Sequence, residues 1–159
     1  MKIKVENITA GYGGPHVISD ISISIPPEKI ITLIGANGSG KSTILKNMSR
    51  SLKPYSGTVY LDGKEVHSYN AIRLARKLAC LPQSHTAPDD MTVEELVYCG
   101  RFPHRKLWGG SRKKDKDIVD RVLDLTDLEH LRERSIHALS GGERQRAWIA
   151  LCLAQEPEV

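Results

Sequence analysis

Cysteine is scarce: three residues in 159, at Cys80, Cys99 and Cys152. No two form a CxxC pair. Their odd number and wide spacing exclude a disulfide scaffold and fit free thiols in a reducing compartment. A zinc site needs a closer cluster with histidine, so the three are expected to be small buried hydrophobes. No apolar run approaches the ~20 residues a membrane helix needs. The first twelve residues, MKIKVENITAGY, alternate and carry no apolar signal core, so secretion is not expected. There is no internal repeat and no low-complexity tract. Nor does one sign of charge dominate. The net charge is +4, with 11 basic against 5 acidic residues up to Cys80 and 12 against 14 after it. That is no continuous basic stripe, and no nucleic-acid partner is expected. The densest basic run lies from Arg101 to Lys116, with Asp115 its only acid. It is expected to be an exposed, solvated loop, of a charge that suits lipid headgroups.

What is present is a globular composition. Apolar residues make up 40% and charged residues 26%, near soluble-protein averages. A chain of this length buries roughly two-thirds of its unfolded surface, enough for a core. Lys2 to Val5 alternates, as does Val17 to Ile25, with Ile21, Ile23 and Ile25 on one face. Pro26-Pro27 ends that strand. Ile30 to Ile34 is β-branched and nearly continuous, the pattern of a strand buried on both faces. Ser42 to Met48 reads as a helix. Thr58 to Leu61 reads as a strand that turns at Asp62-Gly63 and returns along Lys64 to Val66. Further on the period becomes helical: Ile72, Ala75, Leu78 and Ala79, then Thr92 to Cys99, then Ile118, Val122, Leu123 and Leu125, then Ser140 to Gln155. Thr92 with Glu95, and Ser140 with Glu143, have capping-box spacing. Pro157 stops the last helix.

The strongest chemical signal is Gly35-Ala36-Asn37-Gly38-Ser39-Gly40-Lys41-Ser42, followed by Thr43. This is GxxxxGK[ST], with a strand-like run before it and a helix after it. Glycines let the backbone turn tightly, so that successive N–H groups point inward as an anion nest. The helix that follows presents its positive end to phosphates. Lys41 supplies a point charge and Ser42 a hydroxyl ligand for Mg2+. The second signal is Leu139-Ser140-Gly141-Gly142-Glu143. It reads equally as a helix cap and as a phosphate site, since both use the same exposed N–H groups.

Together these two motifs resemble the nucleotide-binding domain of ATP-binding cassette (ABC) transporters. The resemblance implies an α/β P-loop NTPase of the ABC ATPase type, with a β-rich amino-terminal subdomain, a partial parallel-sheet core and a helical subdomain. Residues 1–83 would hold the β subdomain and P-loop core, 84–139 the helical subdomain and 140–159 the signature helix. It implies ATP and Mg2+ as ligands. Tyr12 matches the aromatic that stacks on adenine. Gly35, Asn37, Gly38, Ser39, Gly40, Lys41, Ser42 and Thr43 match the nucleotide loop. Gln83, after Leu81-Pro82, matches the Q-loop residue that, with Ser42, ligates Mg2+. Leu139 to Glu143 would act in trans, on ATP held by a second ATP-binding subunit in a head-to-tail pair. A transmembrane permease would dock around Gln83 to Trp108, at the cytoplasmic face of the membrane, with a periplasmic or surface substrate-binding protein as an indirect partner. Leu81-Pro82-Gln83, Met91 to Leu96 and Gly100-Arg101-Phe102-Pro103-His104 are similar to importers of iron chelates, with haem and cobalamin importers alongside. His104 is expected to be a loop histidine facing the membrane partner rather than a metal ligand.

One departure stands out. The family continues past the signature helix into an apolar strand ending in Asp-Glu, the Walker B aspartate and catalytic glutamate, and then to a switch histidine. Glu156 and Glu158 flank a proline and do not fit that position, and His137 precedes the signature. The missing groups would lie beyond Val159, so the fold is expected to be incomplete there, the isolated chain marginal or aggregation-prone, and its own hydrolysis slow. Two alternatives are a soluble ABC protein without a transporter and a short, non-catalytic nucleotide-binding module. A small-molecule P-loop kinase leaves Leu139 to Glu143 unexplained.

Overall fold

The computed structural model describes residues 2–84, 86–105 and 112–159. They divide into two compact units, Met1–Leu74 and Ala75–Val159.

The first unit is built on one sheet. Its strands are β1 (Ile3–Ala10), β2 (Ile18–Ile25), β3 (Ser56–Leu61) and β4 (Lys64–Glu65), in the order β2-β1-β3-β4. Every pairing is antiparallel, with Val5 opposite both Ile23 and Val59. The two-residue period puts Ile3 and Val5 on the buried side with Val59 and Leu61, and an irregularity between Val5 and Ile8, where Asn7 is left-handed, returns Ile8 to that side. Helix α1 (Lys41–Met48) packs on β1, with Met48 buried.

The expected parallel core has no counterpart among the described residues. Residues 30–34 form no strand, and Ile30 and Ile34 are 97% and 92% exposed. A parallel strand needs neighbours on its ladder edges to satisfy its N–H and C=O groups. None of the four strands provides one.

The second unit is helical. It contains α3 (Val93–Cys99), α4 (Arg112–Leu125) and α5 (Gly141–Ala154). Val93, Leu96 and Val97 meet Val119, Val122 and Leu123 over an alanine-lined face of α5, Ala147, Ala150 and Ala154. Leu128, Ile136 and Leu139 complete this core.

Helix α2 (Ala71–Ala75) is shorter than the pattern reaching Ala79 predicts. Residues 77–79 leave the helix because their backbone pairs elsewhere. Lys77 O accepts from the N–H groups of Glu158 and Val159, and Ala79 N–H donates to Val159 O.

Three further expectations need correcting. Cys80 and Cys99 are exposed and Cys152 is half-buried. The basic run is not one exposed loop. Arg101 is buried, Phe102–His104 form a 3-10 turn, and Arg112 to Lys116 open α4, where Lys113, Lys114 and Lys116 are solvated. Lys106, Trp108 and the rest of 106–111 lie outside the described residues, as does the side chain of Arg112. Finally, the His104 ring is half-buried and its Nε2 sits 2.8 Å from Gln155 O.

Candidate functional site

In the first unit the site begins at α1. An α-helix leaves its first N–H groups without intrahelical partners. The first backbone bond here runs from Ile44 N–H to Gly40 O at 3.0 Å. The cap residue is Gly40, left-handed at φ +88°, and no side chain caps the helix. The N–H groups of Lys41, Ser42 and Thr43 therefore open toward the loop. Gly38 is also left-handed, at φ +79°, and Ser39 N–H closes a turn onto Ala36 O at 3.2 Å. Such a run of inward N–H groups at a helix N-terminus is an anion site. Lys41 bends back over this loop: its Nζ donates to Gly35 O at 2.9 Å and Ala36 O at 2.6 Å. A phosphate would give the ammonium an anionic partner in place of two neutral carbonyls.

Tyr12 lies beside the same helix. It is 58% exposed. Its hydroxyl is 3.4 Å from Thr43 Oγ1, and Lys46 Nζ stands 5.0 Å from the ring centre. The Thr43 hydroxyl, then the Lys46 ammonium, hold the phenol below its usual pKa range. The turn carrying Tyr12 is held by Tyr55, whose hydroxyl accepts from Gly13 N–H at 2.8 Å and whose ring tilts against His16. Sequence reasoning missed Tyr55. Nothing in its local pattern links it to a turn some forty residues earlier.

In the second unit, Ser140 caps α5. Its hydroxyl accepts from Glu143 N–H at 3.3 Å, and Glu143 Oε2 accepts from Ser140 N–H at 2.8 Å, a complete capping box. The box leaves the N–H groups of Gly141 and Gly142 at the helix N-terminus, with open space where their Cβ atoms would stand. The Ser140 hydroxyl, then the Ser140 N–H, hold the Glu143 carboxyl below its usual range. Leu139 is buried and anchors the turn from below.

Gln83 is exposed, and with Leu81 and Pro82 it lines a groove whose other wall is Gly141, Arg144 and Gln145. The Q-loop candidate and the signature candidate thus share one groove within this unit. Arg144, unassigned by the sequence, braces the approach to the signature: its guanidinium donates to Ile136, His137 and Leu139 carbonyls, each at 3.2 Å. His137 Nε2 lies 3.1 Å from Ala87 O and serves the same segment.

A separate surface carries an exposed aromatic. Phe102 is 69% exposed and shares a shallow groove with Glu95, Tyr98, Cys99 and Arg105. The Arg105 guanidinium sits 5.2 Å from the Tyr98 ring centre.

Known proteins match along nearly the whole chain. It is 47% identical over 157 residues to the iron(3+)-hydroxamate import ATP-binding protein FhuC of Bacillus subtilis (strain 168). It is 42% identical over 158 residues to the ferric enterobactin transport ATP-binding protein FepC of Escherichia coli (strain K12). In both cases 99% of this chain is covered, and the chain spans 58% of the relative's length. Among solved structures, cbiO1 from Clostridium perfringens, part of the ABC transporter complex cbiONQ, superposes with a TM-score of 0.78 at 29% identity, covering 98% of this chain and 62% of that one. The ABC transporter family model matches residues 18–159, and the chain belongs to that family.

Proposed function

We propose that this protein is the ATP-binding subunit of an ABC importer, binding and hydrolysing ATP to drive uptake of an iron–siderophore or related metal chelate. The observation that carries the nucleotide reading is the uncapped start of α1, where a glycine-rich loop, open N–H groups and Lys41 converge. The relatives named for iron(3+)-hydroxamate and ferric enterobactin support the cargo class.

Lys41 and the α1 N–H groups hold the phosphates, and the exposed Tyr12 ring stacks on adenine. The Ser42 hydroxyl suits Mg2+, and so does the Gln83 amide oxygen of the other unit, each taken by itself: both are neutral oxygen donors, which a hard cation accepts when phosphates bring the negative charge. When bound, Mg2+ neutralises charge on the phosphate oxygens. Ser140, Gly141 and Gly142 serve ATP held by a second subunit, so a head-to-tail pair has two composite sites. The groove around Phe102 accepts a transmembrane permease, which places the protein at the cytoplasmic face of the membrane. A substrate-binding protein outside delivers the chelate.

Lys41→Ala tests the reading. A charged hydrogen bond contributes roughly 1.5–3 kcal/mol, so MgATP affinity should fall about 10- to 100-fold, measured by equilibrium fluorescence titration. Unchanged affinity would overturn the nucleotide site. Membrane vesicles holding the whole transporter should lose ATP-driven uptake of a ferric hydroxamate; uptake that survives the substitution would remove the transport role.

A further inference from the structure

We propose that Arg101 is a positioning residue for the Ser140–Gly142 turn, acting through the far end of α5. The inference rests on the nucleotide role proposed for that turn.

Arg101 is 2% exposed, an unusual place for a guanidinium in a basic run. It donates from Nη1 to Ala154 O at 2.6 Å and to Glu156 Oε2 at 3.0 Å, and from Nε to Asp115 Oδ1 at 3.0 Å. The neighbouring residues hold the same end of α5. His104 Nε2 sits 2.8 Å from Gln155 O. Gly100 lies so close that a Cβ there would run into Leu151 O and press on the Ala154 methyl. The last carbonyls of a helix have no intrahelical partner, and a cation there also complements the helix dipole. Gly100 to His104 therefore forms a hook around the carboxy-terminal end of α5.

The packing of α5 explains why a hook is needed. Its buried face is Ala147, Ala150 and Ala154. Alanines allow close approach but offer few ridges to fix the helix along its axis. The polar hook supplies that axial register. A 14-residue helix is a rod of ~21 Å, so a slip at Ala154 appears at Gly141. Exposed Phe102 is itself part of the hook, so whatever occupies that groove pulls on the same rod.

The test uses the protein encoded by its complete reading frame, with Arg101→Lys as the principal variant and Glu156→Gln as a milder second one. Amide hydrogen exchange needs no activity. The Glu143 and Arg144 amides at the start of α5 should exchange at least tenfold faster in Arg101→Lys, while Val119 to Leu123 of α4 keep wild-type rates. In steady-state assays kcat should fall at least tenfold, with MgATP affinity, read with a fluorescent ATP analogue, within twofold. If Arg101→Lys does not fold, Glu156→Gln should show the same pattern at a few-fold. Faster exchange confined to residues 151–156, or turnover and affinity falling together, would overturn the proposal in favour of a purely structural ion pair. A wild type that binds no MgATP would overturn the nucleotide reading instead, and the exchange result would still decide the role of the hook.

Discussion

Helices α1 and α5 both begin in glycine-containing turns, and the two beginnings are built in opposite ways. Helix α1 starts at Gly40 in a left-handed conformation with no capping side chain. Helix α5 starts at Ser140 in an extended conformation, inside a complete capping box. The first leaves its orphan N–H groups without any capping side chain. The second satisfies part of its own terminus and keeps only the glycine N–H groups on offer. A P-loop that bends around a phosphate needs backbone shapes that only glycine adopts easily. The role proposed for the α5 turn, meeting a ligand held by another subunit, suits a finished helix end with room above it.

The sharpest way to break this comparison is to add the same methyl group at both starts. At Gly40, alanine would have to hold φ near +88° and would run into Ile18 Cγ2 on β2. The left-handed conformation costs an L-residue about 1–2 kcal/mol, and overpacking adds about 1–3 kcal/mol. Gly40→Ala should therefore lose roughly 2–5 kcal/mol in urea unfolding. At Gly141 the helical backbone suits alanine and nothing stands where the methyl would go. Gly141→Ala should gain about 0.4–1 kcal/mol by restricting the unfolded chain, while crowding the face proposed to meet phosphate. Equal effects at the two positions would show that the two glycines do the same work, contrary to the geometry.

Removing the cap is a smaller perturbation. Ser140→Ala deletes the hydroxyl that accepts from Glu143 N–H, and loss of such a cap costs about 1 kcal/mol. Urea unfolding should show that loss, and circular dichroism should show α5 fraying. A neutral substitution would mean the turn is held from elsewhere, with the Arg144 bridges to Ile136, His137 and Leu139 the first candidates.

The caps were legible in the sequence because they are local. Thr92 with Glu95 and Ser140 with Glu143 each specify a helix start within four residues, and both boxes are present. The alternation of Val17 to Ile25 and the Asp62-Gly63 turn were local in the same sense, and β2, β3 and β4 follow them. Residues 30–34 were misread because a β-branched run expresses a preference for neighbours, not their presence. Arg101 was misread because its partners Asp115 and Glu156 lie 14 and 55 residues away. A cation among cations looks solvated until those carboxylates arrive. At the candidate site, the residue types of both glycine-rich motifs could be read directly. Their braces, Tyr55 and Arg144, could not, because a side chain that holds a distant backbone leaves no periodic trace.

The smallest expected effect separates the two helix starts by charge. Of α1 and α5, only α5 carries an acid in its first turn, Glu143. Its carboxylate accepts from Ser140 N–H at 2.8 Å, and the Ser140 hydroxyl and N–H, with weaker help from Arg134 and Arg146, lower its pKa below the ordinary 4.5. A carboxyl whose folded pKa lies below its unfolded one stabilises the fold above the unfolded value. It loses that stabilisation as pH falls through the folded value. Glu143→Gln keeps an acceptor for the Ser140 N–H but removes the charge. The wild type should therefore be the more stable of the two near neutral pH, by a modest margin because the pair is exposed. The difference should shrink as pH drops below 4.5. Urea unfolding of both proteins at a series of pH values from about 3 to about 7 reads it directly. Two parallel curves would mean that the bond geometry alone holds the cap, and that the α5 start differs from the α1 start in its hydrogen bonds but not in its electrostatics.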